Sequence, residues 1–254
     1  MAGFMTSPIA VPQSPDTASV LGLPLHRMGD YSGWLTQQLK DGRGVHVVTL
    51  NAEMAMLAEH NADLAAVIRG AELVIPDGAG VVLCLRVRGM PVQRCPGIEL
   101  AEALLQHLGQ GNTPQSVFFY GGAPGVSDAA AQAWRQRLPE LAIAGIQHGY
   151  LSPDEQADLE KTLEQQQPAL VLVGLGVPRQ EFWIRDHRHL CPNSIWIGVG
   201  GSFDIWSGTK DRAPGWLRNN HLEWLYRLYQ EPWRWKRMLA LPKFAWKALR
   251  YADR

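Results

Sequence analysis

The residues of this chain that could do chemistry stand at or just beyond the ends of apolar runs. Thr49 and Asn51 close VHVVTL, Asp77 follows LVIP, and Gly121 and Gly122 follow SVFFY. Gly149 and Tyr150 come after LAIAGIQ, Pro178 to Glu181 after ALVLVGLG, and Gly200 to Asp204 after SIWIGVG. A carboxylate at such a point can serve as a general base, and a glycine there lets backbone approach a phosphate at the start of a helix. Each residue also has a plainer reading. Asp77-Gly78 is a common turn pair, GGAPG suits any tight strand-to-helix turn, and Arg94 and Gln180 read equally as polar loop residues. The GGAPG stretch lacks the GxGxxG spacing and has no acidic residue closing a later strand, which disfavours a dinucleotide oxidoreductase.

The elements that must position these residues follow from periodicity. From Val45 onward, apolar strands, short turns and amphipathic helices alternate to about residue 200, the signature of an α/β body: a Rossmann-like, mostly parallel sheet with helices on both faces. In such a sheet ligands bind outside the carboxyl ends of the strands, where the candidates lie. Helices are predicted over 52–60, 78–88, 98–108, 126–138 and 179–190. Another opens at Ser152, where Ser152, Pro153 and Glu155 form a capping box. The Pro/Ser/Thr-rich residues 1–18 read as disordered and not as a signal peptide, with an edge strand or hairpin beginning near Val20. Three scattered cysteines fit a reducing compartment, and the histidines form no HxxxH or HExxH set, so no metal and no cofactor is expected. The sequence contains no run of 18 apolar residues, so no spanning helix is expected.

The chain changes character at Arg212. Residues 212–254 hold ten Arg or Lys against three Asp or Glu, and residues 1–211 carry the compensating negative charge. Five of the ten tryptophans also lie there, a pairing suited to a headgroup layer or a phosphate-bearing ligand. The partition expected is a disordered 1–18, a core of 19–211 and a basic, helical appendage of 212–254. Pro232 must interrupt or start a helix, so two helical pieces are expected, with Arg234 and Arg237 on one face and Arg227 on the piece before.

Taken in order, TLNAEM, IPDGAGVV, QRCPGIEL, FYGGAPGV, GLGVPRQEFWI, GVGGSFD and RAPGWLRNNHLEWLYRLYQEPWRWKR resemble the WecG/TagA/CpsF family of bacterial glycosyltransferases, from about Val20 to Leu241. The resemblance implies an inverting, metal-independent transfer from a UDP-sugar donor to a polyprenyl-diphosphate-linked sugar acceptor. It sets this at the inner face of the cytoplasmic membrane, in cell-surface or exopolysaccharide biosynthesis. It implies Asp77 as general base. Thr49, Asn51, Arg94 and Gln180 would lie around the donor, Tyr150 on the uracil and Asp204 facing the nucleoside, while Gly121 and Gly122 are phosphate candidates by their place after a strand alone. Arg227, Arg234 and Arg237 would reach over the site. One departure is Cys95-Pro96, where many members have valine or isoleucine and a small polar residue. The absence of a DxD sequence assigns the leaving diphosphate to arginines. Self-association is a further expectation, and the donor is N-acetylmannosamine-like, with UDP-glucose and UDP-glucuronic acid as alternatives. A silent membrane-binding adaptor and a nucleic-acid-binding protein are the competing classes, and no nucleic-acid partner is expected.

Overall fold

The computed structural model describes residues 15–110, 115–220 and 222–250, without the side chains of residues 219, 234, 236, 237 and 249. Residues 1–14 of the stretch read as disordered therefore lie outside the described residues. Residues 16–18 do not fit that reading, because they begin the first strand. Strands β1 (Asp16–Val20) and β2 (Leu23–Arg27) form an antiparallel hairpin in which Ala18 and Val20 alternate inward. The two turn residues, Leu21 and Gly22, have φ of 50° and 75°, the left-handed pair that a two-residue hairpin turn requires.

After α1 (Tyr31–Lys40), the chain lays down β3 (Val45–Leu50), α2 (Ala52–Glu59), α3 (Ala62–Arg69), β4 (Leu73–Pro76), α4 (Ala79–Val87) and α5 (Gly97–Gln110). Then follow β5 (Ser116–Gly121), α6 (Val126–Arg137), β6 (Ala142–Gln147), α7 (Pro153–Gln166), β7 (Leu170–Gly174), α8 (Arg179–His187), β8 (Ile195–Gly198) and α9 (Ser202–Trp206). The capping box at Ser152 is formed as expected. Six strands make one parallel sheet in the order β4-β3-β8-β7-β5-β6. The hairpin protects its edge, since the Val74 N–H donates to His26 Nδ1 at 2.8 Å.

Alternate residues of each strand face opposite layers, as strand geometry demands. Val47, Ile75, Phe119, Leu172 and Ile197 pack with α1, α5, α6 and α9. On the other face Val48, Leu50 and Val74 meet α2, α3 and α4, while Val171, Val173 and Trp196 meet α7 and α8. Helices thus cover both faces. After β3 the chain moves outward to β4, whereas β8 is reached from the opposite side. The loops beyond β3 and β8 therefore diverge and leave a crevice.

The tail is helical in more pieces than expected: α10 (Gly215–Asn219), α11 (Glu223–Gln230), α12 (Trp235–Met238) and α13 (Ala240–Arg250). Pro232 starts a short 3-10 turn between α11 and α12, because a proline without an N–H is tolerated only in a first turn. Helix α13 returns to lie against α2 and α4, where Phe244 and Ala248 are buried and Lys247 pairs with Glu59 at 2.5 Å. The change of charge at Arg212 is thus no boundary in packing. Phe244→Ala should lower unfolding stability by about 3–5 kcal/mol, whereas Trp246→Ala at an exposed position should stay within about 0.5 kcal/mol; denaturant titration checks both.

Candidate active site

A cleft of about 190 Å³ opens at the carboxyl ends of β3, β4, β7 and β8, and α11 closes one side of it. Asp77 sits at its base, one residue past β4, deep among protein atoms yet lining the cleft. The turn reading of Asp77-Gly78 holds, and Asp77 also faces the cleft. A Cβ on Gly78 would come within 2.8 Å of Asn51 Cβ, so the turn needs glycine. The Asp77 carboxylate accepts the Gly97 N–H at 2.9 Å, at the start of α5. Burial pushes the Asp77 pKa above its ordinary value; Arg227, the Gly97 N–H and Arg94 pull it down, and Glu223 adds to the rise.

Arg94 turns inward from the loop before α5. Its Nε donates to the Asp77 carbonyl at 2.7 Å, and a terminal guanidinium nitrogen donates to Glu223 at 2.8 Å. The Cys95 N–H donates to the Pro76 carbonyl at 2.9 Å, so the departure at Cys95-Pro96 still gives a loop anchored to β4. Glu223 also accepts from Arg227, four residues on, at 3.0 Å. Only 5% of Glu223 is exposed. Burial alone would raise its pKa, but Arg227 and Arg94 together bring it below the ordinary carboxylate value. The result is a continuous chain from Asp77 through Arg94 and Glu223 to Arg227.

Gln180 is almost fully buried and joins two strand-end loops. Its carbonyl oxygen accepts the N–H groups of Gly176 and Gly200 at 3.2 and 3.1 Å, and its amide donates to the buried Glu181 at 3.0 Å. The other Glu181 oxygen lies 3.6 Å from His46 Nε2. Gln180 therefore shapes the rim of the cleft. Thr49 lines the cleft, donates to the Gly198 carbonyl at 3.4 Å and packs its methyl on Gly97. Asn51 caps α2 by accepting the Met54 N–H at 2.9 Å, and also lines the cleft.

Other expected residues stand further out. Gly121 and Gly122 lie at the end of β5, outside the cleft lining; a Cβ on Gly121 would meet the Gly174 backbone at 2.5 Å, which explains that glycine by strand packing. Tyr150 is 68% exposed and is also outside the lining. Asp204 pairs with Lys210 at 3.5 Å, and Lys210, which lines the cleft, also pairs with Glu231 at 2.9 Å. Arg234 lies in the 3-10 turn and Arg237 in α12, but their side chains are outside the described residues. No group of three or more metal-binding side chains occurs among the described residues.

Sequence reasoning passed over Glu223, Tyr226 and Gln230, which line the cleft together with Arg227. Their spacing of three, four and seven residues from Glu223 puts all four on one helix face, a signal present in the sequence. Lys210 and Arg212 join them in the lining, the latter paired with Glu99 at 2.5 Å.

A carboxylate at a strand end, with Arg94 from a loop and Arg227 from α11 beside it, sets a proton acceptor next to fixed cations, groups that a transfer reaction can use. The chain belongs to the WecG/TagA/CpsF family of glycosyl transferases, whose sequence model matches residues 18–254, and it is a glycosyltransferase. It is 38% identical over 217 residues to the N-acetylglucosaminyldiphosphoundecaprenol N-acetyl-beta-D-mannosaminyltransferase of Bacillus spizizenii, covering 85% of this chain and 83% of the relative. The enzyme of the same name from Bacillus subtilis is 37% identical over 209 residues, covering 82% of this chain and 80% of the relative.

Because its pKa is raised in the fold, an ionised Asp77 is less well tolerated in the folded than in the unfolded chain. Stability is therefore lost as pH rises from the unfolded value toward the folded one. Asp77→Asn, which keeps an acceptor for the Gly97 N–H, should melt higher than wild type at pH 7, by roughly 2–4 °C per kcal/mol of relieved burial. The gap should close as pH falls toward about 4, as calorimetry across pH would read.

Proposed function

We propose that this enzyme transfers N-acetylmannosamine from a UDP-linked donor to an N-acetylglucosamine carried on a polyprenyl diphosphate, with inversion at the anomeric carbon. The observation that carries the reading is the placement of Asp77 at the base of a cleft beneath Arg227, joined to it through Arg94 and Glu223. The names of the two Bacillus relatives support the sugar and the acceptor, and favour N-acetylmannosamine over glucose or glucuronic acid.

In a single displacement the acceptor hydroxyl attacks the anomeric carbon from the face opposite the diphosphate. A new C–O bond forms there while the bond to the phosphate oxygen breaks. The hydroxyl proton passes to Asp77, whose raised pKa makes it a stronger base than an ordinary aspartate. UDP departs with added negative charge, and Arg227 supplies a fixed cation at the mouth of the cleft, with Arg234 and Arg237 as further candidates by resemblance. Thr49 and Asn51 line the donor side, and Gln180 holds the two glycine loops in register. Gly121 and Gly122 follow β5, Tyr150 follows β6 and Asp204 lies in α9 after β8, all at the carboxyl ends of the sheet beyond the cleft, where the nucleoside end of the donor would extend.

The acceptor's lipid sets the enzyme at the inner face of the cytoplasmic membrane as a peripheral protein. Exposed Trp216, Tyr229, Trp233, Trp235 and Trp246, among basic residues, support that placement. No helix among the described residues is long and apolar enough to cross a membrane.

With UDP-N-acetylmannosamine and a polyprenyl-diphosphate-linked N-acetylglucosamine, wild type should release UDP and form the β-linked disaccharide lipid. Asp77→Asn should cut kcat by about 10²- to 10⁴-fold. Arg227→Ala should cost about 10²- to 10³-fold. The acid limb of the wild-type kcat/KM profile should lie above about 3.9, with activity rising with pH as Asp77 ionises. Wild-type turnover by Asp77→Asn would sink the assignment of the base.

A further inference from the structure

Beside the polar cleft lies a second cavity of opposite character. It measures about 510 Å³, within the range of about 300–1,000 Å³ usual for small-molecule sites. Gly80, Leu83 and Val87 of α4 form one wall, Phe244 and Ala245 of α13 the other, and Trp224 of α11 stands between. Arg86 is the single charged residue among its described lining. Leu83 and Val87 are 59% and 60% exposed, a large apolar surface to leave facing water.

The two cavities share their partitions. Asp77 lines the cleft and Ala79, two residues on, lines the groove, with only Gly78 between them. Helix α11 divides them a second time, because Glu223, Tyr226 and Arg227 face the cleft while Trp224 faces the groove. The cleft is polar, with Arg94, Lys210, Arg212 and Arg227 in its lining beside five carboxylates, so a ligand that fills both cavities must be polar at one end, where these cations can meet a phosphate, and apolar at the other. It must also pass from one character to the other within about the width of a helix, some 10 Å. A bilayer surface or a second copy of this chain would not need a polar cleft opening beside the groove.

We propose that the groove between α4 and α13 seats the first isoprene units of the lipid-linked acceptor, whose diphosphate lies at the cleft side of α11. The assignment rests on the acceptor class inferred above and adds to it a subsite made by the tail helix itself. The chain-holding wall of α13 is fixed by Phe244, which is buried against α2 and α4, so the subsite is built before the acceptor arrives. Helix α13 then contributes to recognition of the acceptor as well as to folding.

The test compares two water-soluble acceptors, N-acetylglucosamine linked through diphosphate to farnesyl or to methyl, with UDP-N-acetylmannosamine and without membranes. Wild type should favour the farnesyl acceptor at least about tenfold in kcat/KM, the equivalent of about 1.4 kcal/mol. Ala245→Trp, which fills the groove from an exposed position, and Leu83→Gln should abolish that preference while the methyl acceptor is used as before. Equal use of both acceptors by wild type, or an undiminished preference in the variants, would overturn the proposal, as would a parallel loss on both acceptors. Changed vesicle binding or oligomeric state with the preference intact would assign the groove to a bilayer or a second copy instead. If wild type uses neither acceptor, the reading of the reaction has failed; calorimetric binding of farnesyl diphosphate then decides the groove alone. Wild type should bind it at least about tenfold more tightly than Ala245→Trp, and equal affinity would refute the subsite.

Discussion

The structure turns on one buried carboxylate held between two arginines. Glu223 is removed from water on α11, where an ionised side chain is tolerated only if its charge is matched and its oxygens are hydrogen-bonded. Arg94 comes to it from the body and Arg227 from its own helix. The first of these bonds ties the tail to the loop beside β4, and the same Arg94 also holds the Asp77 carbonyl. The Asp77 turn and the tail helix α11 therefore share one partner, Arg94.

That arrangement sets the electrostatics of the cleft. Burial works against ionisation of Asp77, the neighbouring arginines work for it, and burial prevails, leaving a carboxyl that holds its proton more readily than an exposed aspartate does. Glu223 has the opposite balance, because two guanidinium groups touch it directly. Two carboxylates of one cleft are thus shifted in opposite directions, Glu223 down beside its arginines and Asp77 up by burial. The charge asymmetry of the chain is met by Arg212 and Arg218 with Glu99 and by Lys247 with Glu59, whereas at the cleft the polarity reverses and the body cations Arg94 and Lys210 pair with the tail carboxylates Glu223 and Glu231.

Much of this was legible in the residues. The alternation of apolar runs and turns specified the parallel sheet, and the strand-end rule put Asp77, Thr49 and Asn51 at the cleft because position after a parallel strand is a local property. The capping box at Ser152 was readable for the same reason. The spacing of Glu223 from Arg227 stood in the sequence, but its pairing with Arg94 was hidden, since Arg94 lies 129 residues earlier and nothing local marks that pair. Gln180 is a similar case: its type suggested a ligand contact, but its bonds go to Gly176, Gly200 and Glu181, brought together only by adjacent strands. Gly121 reads from sequence as either a tight-turn glycine or a phosphate contact, and the approach of β7, which requires a glycine there, is visible only in the fold. Helices α1 and α3 went unread, and the hairpin starts four residues before Val20 because Asp16 to Ser19 find partners in β2 that a polar segment does not advertise.

The most direct test of the coupling is a double-mutant cycle on kcat/KM with Arg94→Gln, Glu223→Gln and the pair. If Glu223 acts by holding Arg94 and the tail over Asp77, the double variant should be little worse than the worse single one, with a coupling of about 1–3 kcal/mol. Losses that add to within about 0.3–0.5 kcal/mol would show that the two residues act independently, and would contradict a single chain of contacts linking tail and base.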